Sequence, residues 1–354
     1  MNRIEESSHK VELIRSLLAK TGCKGIIIRK QPNFSWVSSG GRGFIGLASE
    51  NACASIVVTK ENVFIAGNNI EVPRLLAEEL PEGFAEPVIL PWPEDSGIDD
   101  LLRRKIGKLT NDSEQDAWFR EKRVNLLDCE EKRYAQLGKS AAAILEDVCI
   151  AIRPGMSEYE IAGRISEGYW AAGIEPITML VAADNRSAHV RHYTPTAKKV
   201  KTGAICSICA RAGGLVVSAT RSVAFSKNFA SRYQKLLKVE QAVWEATRPG
   251  ANLGQAYKAI VQAYRENGLE NEWENHHQGG LTGYLAREIR VLPDSNFMVA
   301  SHQAFAWNPS AIGAKCEDTI LTCDNSKIRV LTASGKNWPS IKFGSLMRPN
   351  VLRH

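Results

Sequence analysis

The tripeptide Arg-Pro-Gly occurs twice in this 354-residue chain, at Arg153–Gly155 and at Arg248–Gly250. The two copies are 95 residues apart (249 − 154 = 95), and in the same register Ala172–Ile174 corresponds to Asn267–Leu269 (268 − 173 = 95). Each copy predicts a helix, a turn, a second helix and a glycine that ends it, followed by strands. Two copies are too few for a solenoid, so the repeat predicts one domain with pseudo-twofold symmetry.

The residues before the repeat predict a smaller α/β domain, because short apolar runs alternate with amphipathic segments. We expect helices at residues 8–22, 73–80 and 99–106, and strands at Ile26–Ile28, Asn33–Val37, Ala54–Val58 and Asn62–Ile65. A longer helix over residues 130–151 opens the second half. We therefore predict an N-terminal α/β domain over residues 1–125 and a larger α/β domain over residues 126–354.

Composition excludes several classes of function. The net charge of +6 is spread along the chain without a basic block, which argues against nucleic-acid binding. The longest apolar runs are too short to cross a membrane, and residues 1–6 lack the apolar core of a secretory signal.

The eight cysteines are scattered, as in a reduced cytoplasmic protein. Cys206 and Cys209 have redox spacing, but positions three apart on a strand face opposite ways, so we expect buried thiols.

Four motifs in the second half carry the chemistry. The first runs from Ser207 to Arg221 as S-I-C-A-R-A-G-G-L-V-V-S-A-T-R. It is followed by His277-Gln-Gly-Gly, Trp307-Asn-Pro and Glu317-Asp-Thr. With the repeat, these motifs resemble the pita-bread superfamily of methionine aminopeptidases, Xaa-Pro peptidases and creatinases, including divergent M24-like peptidases. The resemblance covers residues 8–335 and implies a creatinase- or prolidase-like N-terminal domain followed by a pita-bread domain.

That superfamily binds a metal pair through two aspartates, a histidine and two glutamates, in chain order. The resemblance places these former metal-ligand positions at Ser207, Ser218, His277, Asn308 and Glu317. Three carboxylates are therefore missing, and carboxylate charge is much of what holds a pair of hard divalent cations. We expect no metal and no other cofactor.

The resemblance also implies the residues of a metal-free site. His192 lies in a His-Tyr-x-Pro frame whose histidine is the general acid/base of creatinase, and an imidazole titrates near neutral pH. His189 would face the other side of a strand. We assign catalytic roles to His192, His277 and Glu317. We assign substrate binding to Arg42, His276, Gln278, Asn308 and Lys315, with Arg42 lent by the N-terminal domain of a partner subunit. Arg221 is expected to pair with a carboxylate for structural reasons.

The leading hypothesis is a metal-independent, creatinase-like enzyme that hydrolyses a C–N bond of a small polar molecule, with His192 as general acid/base. An elimination or decarboxylation in the same emptied site is one alternative. A Xaa-Pro metallopeptidase with an unusual site at His277 and Glu317 is another, and a non-catalytic binding module is a third. The expected partners are a small-molecule substrate and a second copy of the chain in a homodimer, without nucleic acid or membrane.

Overall fold

The computed structural model describes residues 1–343 and 346–354. The helices are α1 (Arg3–Thr21), α2 (Gln31–Val37), α3 (Glu71–Arg74), α4 (Ile98–Ile106), α5 (Asp116–Arg123), α6 (Asp128–Ile150), α7 (Glu158–Ala171), α8 (Arg186–His189), α9 (Tyr233–Ala246) and α10 (Leu253–Glu266). The strands are β1 (Gly25–Lys30), β2 (Asn51–Thr59), β3 (Val63–Asn68), β4 (Glu86–Leu90), β5 (Leu109–Asn111), β6 (Glu175–Ala183), β7 (Gly203–Ala212), β8 (Leu215–Ala224), β9 (Gly279–Thr282), β10 (Ile289–Arg290), β11 (Ala304–Trp307), β12 (Ser310–Ala311), β13 (Ala314–Lys315), β14 (Asp318–Thr322), β15 (Ile328–Val330), β16 (Ser340–Phe343), β17 (Leu346–Pro349) and β18 (Leu352–Arg353).

The chain divides into two units, of which the first comprises Met1–Arg123 with Gly213–Leu215 and the second Val124–Ala212 with Val216–His354. Across the described residues, the helices lack the length and apolar character needed to cross a membrane.

The first unit is built on a five-stranded sheet in the order β4–β3–β2–β1–β5. The three central strands are antiparallel, whereas the two edge strands run parallel to their neighbours. Ile27, Val57 and Phe64 form its apolar core with Leu102 of α4. The mixed α/β architecture expected from the sequence is confirmed.

The strand predicted at Asn33–Val37 is wrong, because this segment is the helix α2. Pro32 occupies the first turn, where a helix needs no backbone donor. Every residue from Asn33 to Val37 is buried, so the segment shows no polar face from which a helical period could be recognised. The helix predicted at residues 73–80 is present but divided into α3 and a π-helical turn at Leu75–Glu79.

The second unit contains two larger sheets. One has the order β18–β8–β7–β6, and the other the antiparallel order β10–β9–β11–β14–β15. β7 and β8 meet at Gly213-Gly214, which adopt φ angles of 53° and 78° that favour glycine. Trp244 of α9 and Ile260 of α10 pack in one core with Phe305 and Trp307 of β11.

The two copies of the sequence repeat form the same hydrogen bonds. The amides of Gly155 and Gly250 each donate to a valine carbonyl at 2.8 Å. After the second helix of each copy, the amides of Ile174 and Leu269 donate to the carbonyl five residues earlier, at 2.8 and 2.9 Å. The repeat predicted from the sequence is therefore a structural repeat.

Arg221 joins the two sheets to α6 and is fully buried. Its guanidinium donates to Glu146 at 2.7 Å, to Asp318 at 3.1 Å and to the Thr332 carbonyl at 2.8 Å. Both carboxylates are buried as well. The structural role expected for Arg221 is confirmed.

Candidate active site

A cavity of about 150 Å³ lies within the second unit and collects most of the predicted site residues. Its polar lining consists of Thr178, His192, Ser207, Cys209, His277, Arg287, Asn308, Lys315 and Glu317. A larger cavity of about 410 Å³ beside Trp244 and Phe343 has none of the predicted site residues among its described lining. The smaller cavity is therefore the candidate active site.

The pairing of three strands explains why these side chains converge. Trp307, at the end of β11, pairs with Gly279 of β9 on one side and with Asp318 of β14 on the other. The residues just beyond this register are Asn308 and, on the neighbouring strands, residues 277–278 and 317. Motifs 40 residues apart in the sequence thus meet at one end of the sheet.

Two of the positions predicted to correspond to metal ligands, Ser207 and Ser218, carry hydroxyl groups. Ser207 is buried on β7, 3.0 Å from the Tyr193 hydroxyl and 2.8 Å from the Thr220 hydroxyl. Ser218 is buried on β8, with the Arg287 guanidinium 3.4 Å from its hydroxyl. Neither serine contributes a charge.

Glu317, the remaining acid, is held by two cations. Its carboxylate accepts from Arg287 at 2.9 Å and from the Lys315 ammonium at 2.8 Å. Burial raises the pKa of Glu317, but Lys315 and Arg287 together outweigh burial, so the pKa lies below its usual value. Burial conversely lowers the pKa of Lys315, and Glu317 more than offsets this. Both groups are therefore charged at neutral pH.

Arg287 was missed in the sequence analysis. It lies in the run Ala286-Arg-Glu-Ile-Arg290, which leads from the turn after β9 into β10. The signal that could have found it is the pair of arginines in this run. The guanidinium contacts Ser218 and Glu317, two positions that the motif assigns to metal ligands.

The residues present do not fit a metal pair. The five positions offer two hydroxyls, one imidazole, one amide and one carboxylate. The carboxylate is already paired with Lys315 and Arg287. Two hard divalent ions need several carboxylate oxygens, and two fixed cations beside the site oppose their binding.

Three histidines cluster at the cavity. Nε2 of His192 lies 3.2 Å from Nε2 of His276, and the rings of His276 and His277 stack with centroids 4.5 Å apart. His276 is buried, whereas His192 is exposed at the cavity mouth. One nitrogen from each of the three rings lies within 4.8 Å of the other two, a spacing at which the rings could hold one metal ion.

The pKa values of the three imidazoles are all lowered. Burial, followed by the charge of Lys315, lowers the pKa of His276 to about 2. Burial, followed by Arg287, lowers the pKa of His277 to about 4. The pKa of His192 is also lowered, by the partial desolvation of its ring and then by the charge of Lys315. All three rings are neutral at pH 7, and His192 is the one best able to exchange a proton near neutrality.

The remaining predicted residues lie outside the cavity lining. Gln278 is buried, with its amide NH₂ donating to the Trp273 carbonyl at 3.0 Å and its oxygen accepting from the Tyr264 hydroxyl at 3.0 Å, which favours a structural role. Arg42 belongs to the first unit, where it pairs with Glu79 at 2.8 Å. Its role in a partner's site remains a prediction.

The strand predicted around His189 is wrong. Asp184 adopts a φ of 56° directly after β6, and the short helix α8 follows, ending at His189. Arg186 of α8 pairs with the buried Glu158, which holds the turn in place. His189 is exposed and is not among the residues lining the cavity.

Repeated helix pairs around two sheets, with the site at the sheet ends, define a pita-bread domain, here preceded by a smaller α/β unit. Comparison with known proteins agrees. Residues 132–322 match the sequence profile of metallopeptidase family M24, and the chain belongs to this family.

Individual relatives are distant. The chain is 21% identical over 188 residues to the "Probable dipeptidase PepE" of Mycobacterium bovis, a match that covers 50% of each chain. This chain thus spans about half the length of the curated relatives it matches. Among solved structures, a Xaa-Pro dipeptidase from Bacillus anthracis superimposes with a TM-score of 0.75 at 17% identity, over 98% of this chain and 100% of that one. The prolidase from Pyrococcus horikoshii gives 0.73 at 19% identity, over 93% and 99%. At such identities these structures show the fold alone.

Proposed function

We propose that this chain is a hydrolase that breaks a C–N bond of a small polar molecule without a metal pair, using His192 as general acid/base. The family membership supports a hydrolase acting on C–N bonds. The observation that carries the metal-free proposal is the pairing of Arg287 and Lys315 with Glu317, at former ligand positions.

The chemistry follows from the protonation states. Neutral His192 accepts a proton from a water molecule as the water oxygen attacks the carbon of the C–N bond. The C–N bond then breaks, and the same proton passes from His192 to the departing nitrogen. The Lys315 ammonium faces the cavity and stabilises negative charge that develops on the substrate oxygen. His276, neutral and buried, orients His192 through the contact between their Nε2 atoms.

The test compares His192→Ala with His189→Ala. His189 is an exposed histidine three residues away that does not line the cavity, so it is a matched control. Release of amine or ammonia is measured over a panel of small amides, amidines and lactams, with protein purified without chelator. We expect His192→Ala to lose at least about 100-fold in kcat, since general acid/base catalysis contributes at least that much. His189→Ala should retain full activity. Retained turnover in folded His192→Ala would refute the assignment.

A second candidate is a hydrolase with one metal ion at His192, His276 and His277. Two nitrogen ligands of one tetrahedral Zn²⁺ lie about 3.3 Å apart, close to the 3.2 Å between His192 and His276. Against it, Arg287 and Lys315 lower the pKa of these rings, and a field that disfavours a proton also disfavours a divalent cation.

Elemental mass spectrometry of the protein as purified separates the two candidates. Less than about a tenth of an equivalent of Mn, Fe, Co or Zn supports the metal-free enzyme. A full equivalent, lost together with activity in His276→Ala, supports the one-metal enzyme. The homodimer with a shared site, the cytoplasmic location and the alternatives of elimination, decarboxylation or a binding module remain predictions.

A further inference from the structure

The fixed charge of the cavity is positive, whereas a set of carboxylate metal ligands is negative. Arg287 and Lys315 contribute two positive charges and Glu317 one negative charge, which leaves +1 (2 − 1 = 1) beside three neutral imidazoles. Among the residues the structure describes, Glu317 is the one carboxylate paired with either cation. Lys315 is only 5% exposed, so water does little to solvate its charge.

A buried positive charge without a full counter-charge is costly, and a bound anion removes that cost. Glu317 shares its two oxygens between the two cations, one oxygen to each. The ammonium of Lys315 retains two further N–H donors, and Lys315 lines the cavity. The geometry thus provides an anion site at the floor of the cavity.

Two buried polar atoms without partners belong to residues that line the same cavity. The side-chain oxygen of Asn308, a residue only 3% exposed, has no hydrogen-bond partner among the described residues. Nδ1 of His277 is likewise buried without a partner. Buried polar atoms normally find partners, so the Asn308 oxygen, which is an acceptor, points to a ligand that carries an N–H group.

The cavity volume limits the size of this ligand. About 150 Å³ equals about five water molecules at ~30 Å³ each, and an apolar cavity of that volume holds benzene. A ligand of roughly six to ten non-hydrogen atoms fits in this volume. A larger ligand would extend out of the cavity past His192.

We propose that the cavity binds a small carboxylate that also bears an amide or amine N–H, with the carboxylate on Lys315 and Arg287 and the N–H on Asn308. This assignment rests on the proposed function only in taking the cavity as the substrate site. The two cationic side chains supply the positive charge that a metal pair supplies in a site with five intact ligands.

The experiment is isothermal titration with N-acetylglycine and with its neutral analogue N-acetylglycinamide, at constant ionic strength. We expect wild type to bind N-acetylglycine at least tenfold more tightly than the amide. Lys315→Met, which takes the site charge to zero, should lose at least tenfold in affinity for N-acetylglycine. Glu317→Gln, which takes it to +2, should gain affinity for the same probe.

Arg232→Met is the matched control, because Arg232 pairs with Glu272 and does not line the cavity. It should leave both affinities unchanged. Opposite effects of Lys315→Met and Glu317→Gln cannot come from a general loss of folding, which circular dichroism checks for each variant. Equal affinity for the two probes, binding of neither, or a Glu317→Gln variant that binds no tighter overturns the proposal.

The two proposals fail in different ways. Charge-dependent binding of N-acetylglycine with no C–N hydrolysis in any assay leaves the anion site standing and removes the proposed reaction. Hydrolysis of neutral amides with no preference for carboxylates leaves the reaction standing and removes the anion site.

Discussion

Replacing Arg221 with methionine tests whether the buried ion network holds the second unit together. Arg221→Met keeps a long apolar stem but removes the guanidinium, and with it the hydrogen bonds that Arg221 donates to Glu146, Asp318 and the Thr332 carbonyl. Glu146 retains one contact, from the Gly335 amide at 2.8 Å, and its other oxygen is left buried without a donor. Removing one partner of a buried ion pair costs about 3–5 kcal/mol, and we expect a loss in that range.

The assay is urea denaturation followed by circular dichroism. The matched control is Arg329→Met, since Arg329 pairs with Glu131 at 3.0 Å near the surface and should cost about 0–1 kcal/mol. The double variant Arg221→Met/Glu146→Gln should be less destabilised than the sum of the single changes, because the uncompensated carboxylate is neutralised. A loss below about 1 kcal/mol in Arg221→Met, equal to that of the control, would show that the network contributes no more than a surface pair.

Three further predictions concern pH and packing. Since the pKa of His192 is lowered, kcat/KM should rise with pH to a plateau, with its midpoint below pH 6.5. Lys315→Met should move that midpoint upward, because the charge of Lys315 lowers the pKa of His192; a pH–rate profile checks both results. A hydrogen bond to a glutamate of α6 raises the pKa of His302. The stability that this hydrogen bond contributes is therefore complete below about pH 6.5 and is lost as pH rises through the folded-state pKa. The Tm difference between wild type and His302→Gln should shrink from pH 6 to pH 8.5. Gly138→Ala places a methyl group against a backbone carbonyl and should lower stability by about 1–3 kcal/mol. Gly163→Ala, in open space on α7, should raise stability by up to about 1 kcal/mol. Thermal denaturation that gives the same sign for both variants would contradict the packing argument.

The fold was largely predictable because its signals are local or periodic. The repeat at an offset of 95 residues reappears as matching hydrogen bonds at Gly155 and Gly250. Each glycine is needed where φ is positive, at 96° and 87°, so the turn is encoded by the residue itself. The failure at α2 has an equally local cause, since a helix buried on every side carries no amphipathic period.

The site was predictable in part. The motifs predicted His192, His277, Asn308, Lys315 and Glu317 as site residues, and all five line the cavity. Gln278 had the same proximity in sequence, but its amide is engaged by Tyr264 and Trp273. Sequence spacing cannot tell which of two adjacent polar side chains faces a cavity, because that depends on the backbone twist after His277.

The sequence by itself determined the pseudo-twofold domain and which residue types stand in the four motifs, because turn residues and residue identity are properties of the chain. Only the tertiary structure decided which cations pair with Glu317. Arg287 lies 30 residues from Glu317, and nothing in the local pattern of either residue fixes their contact at 2.9 Å. That contact depends on where the turn between β9 and β10 places Arg287, because β11 separates β9 from β14 in the sheet. Electrostatic partners are set by distance in space, which the local sequence does not specify.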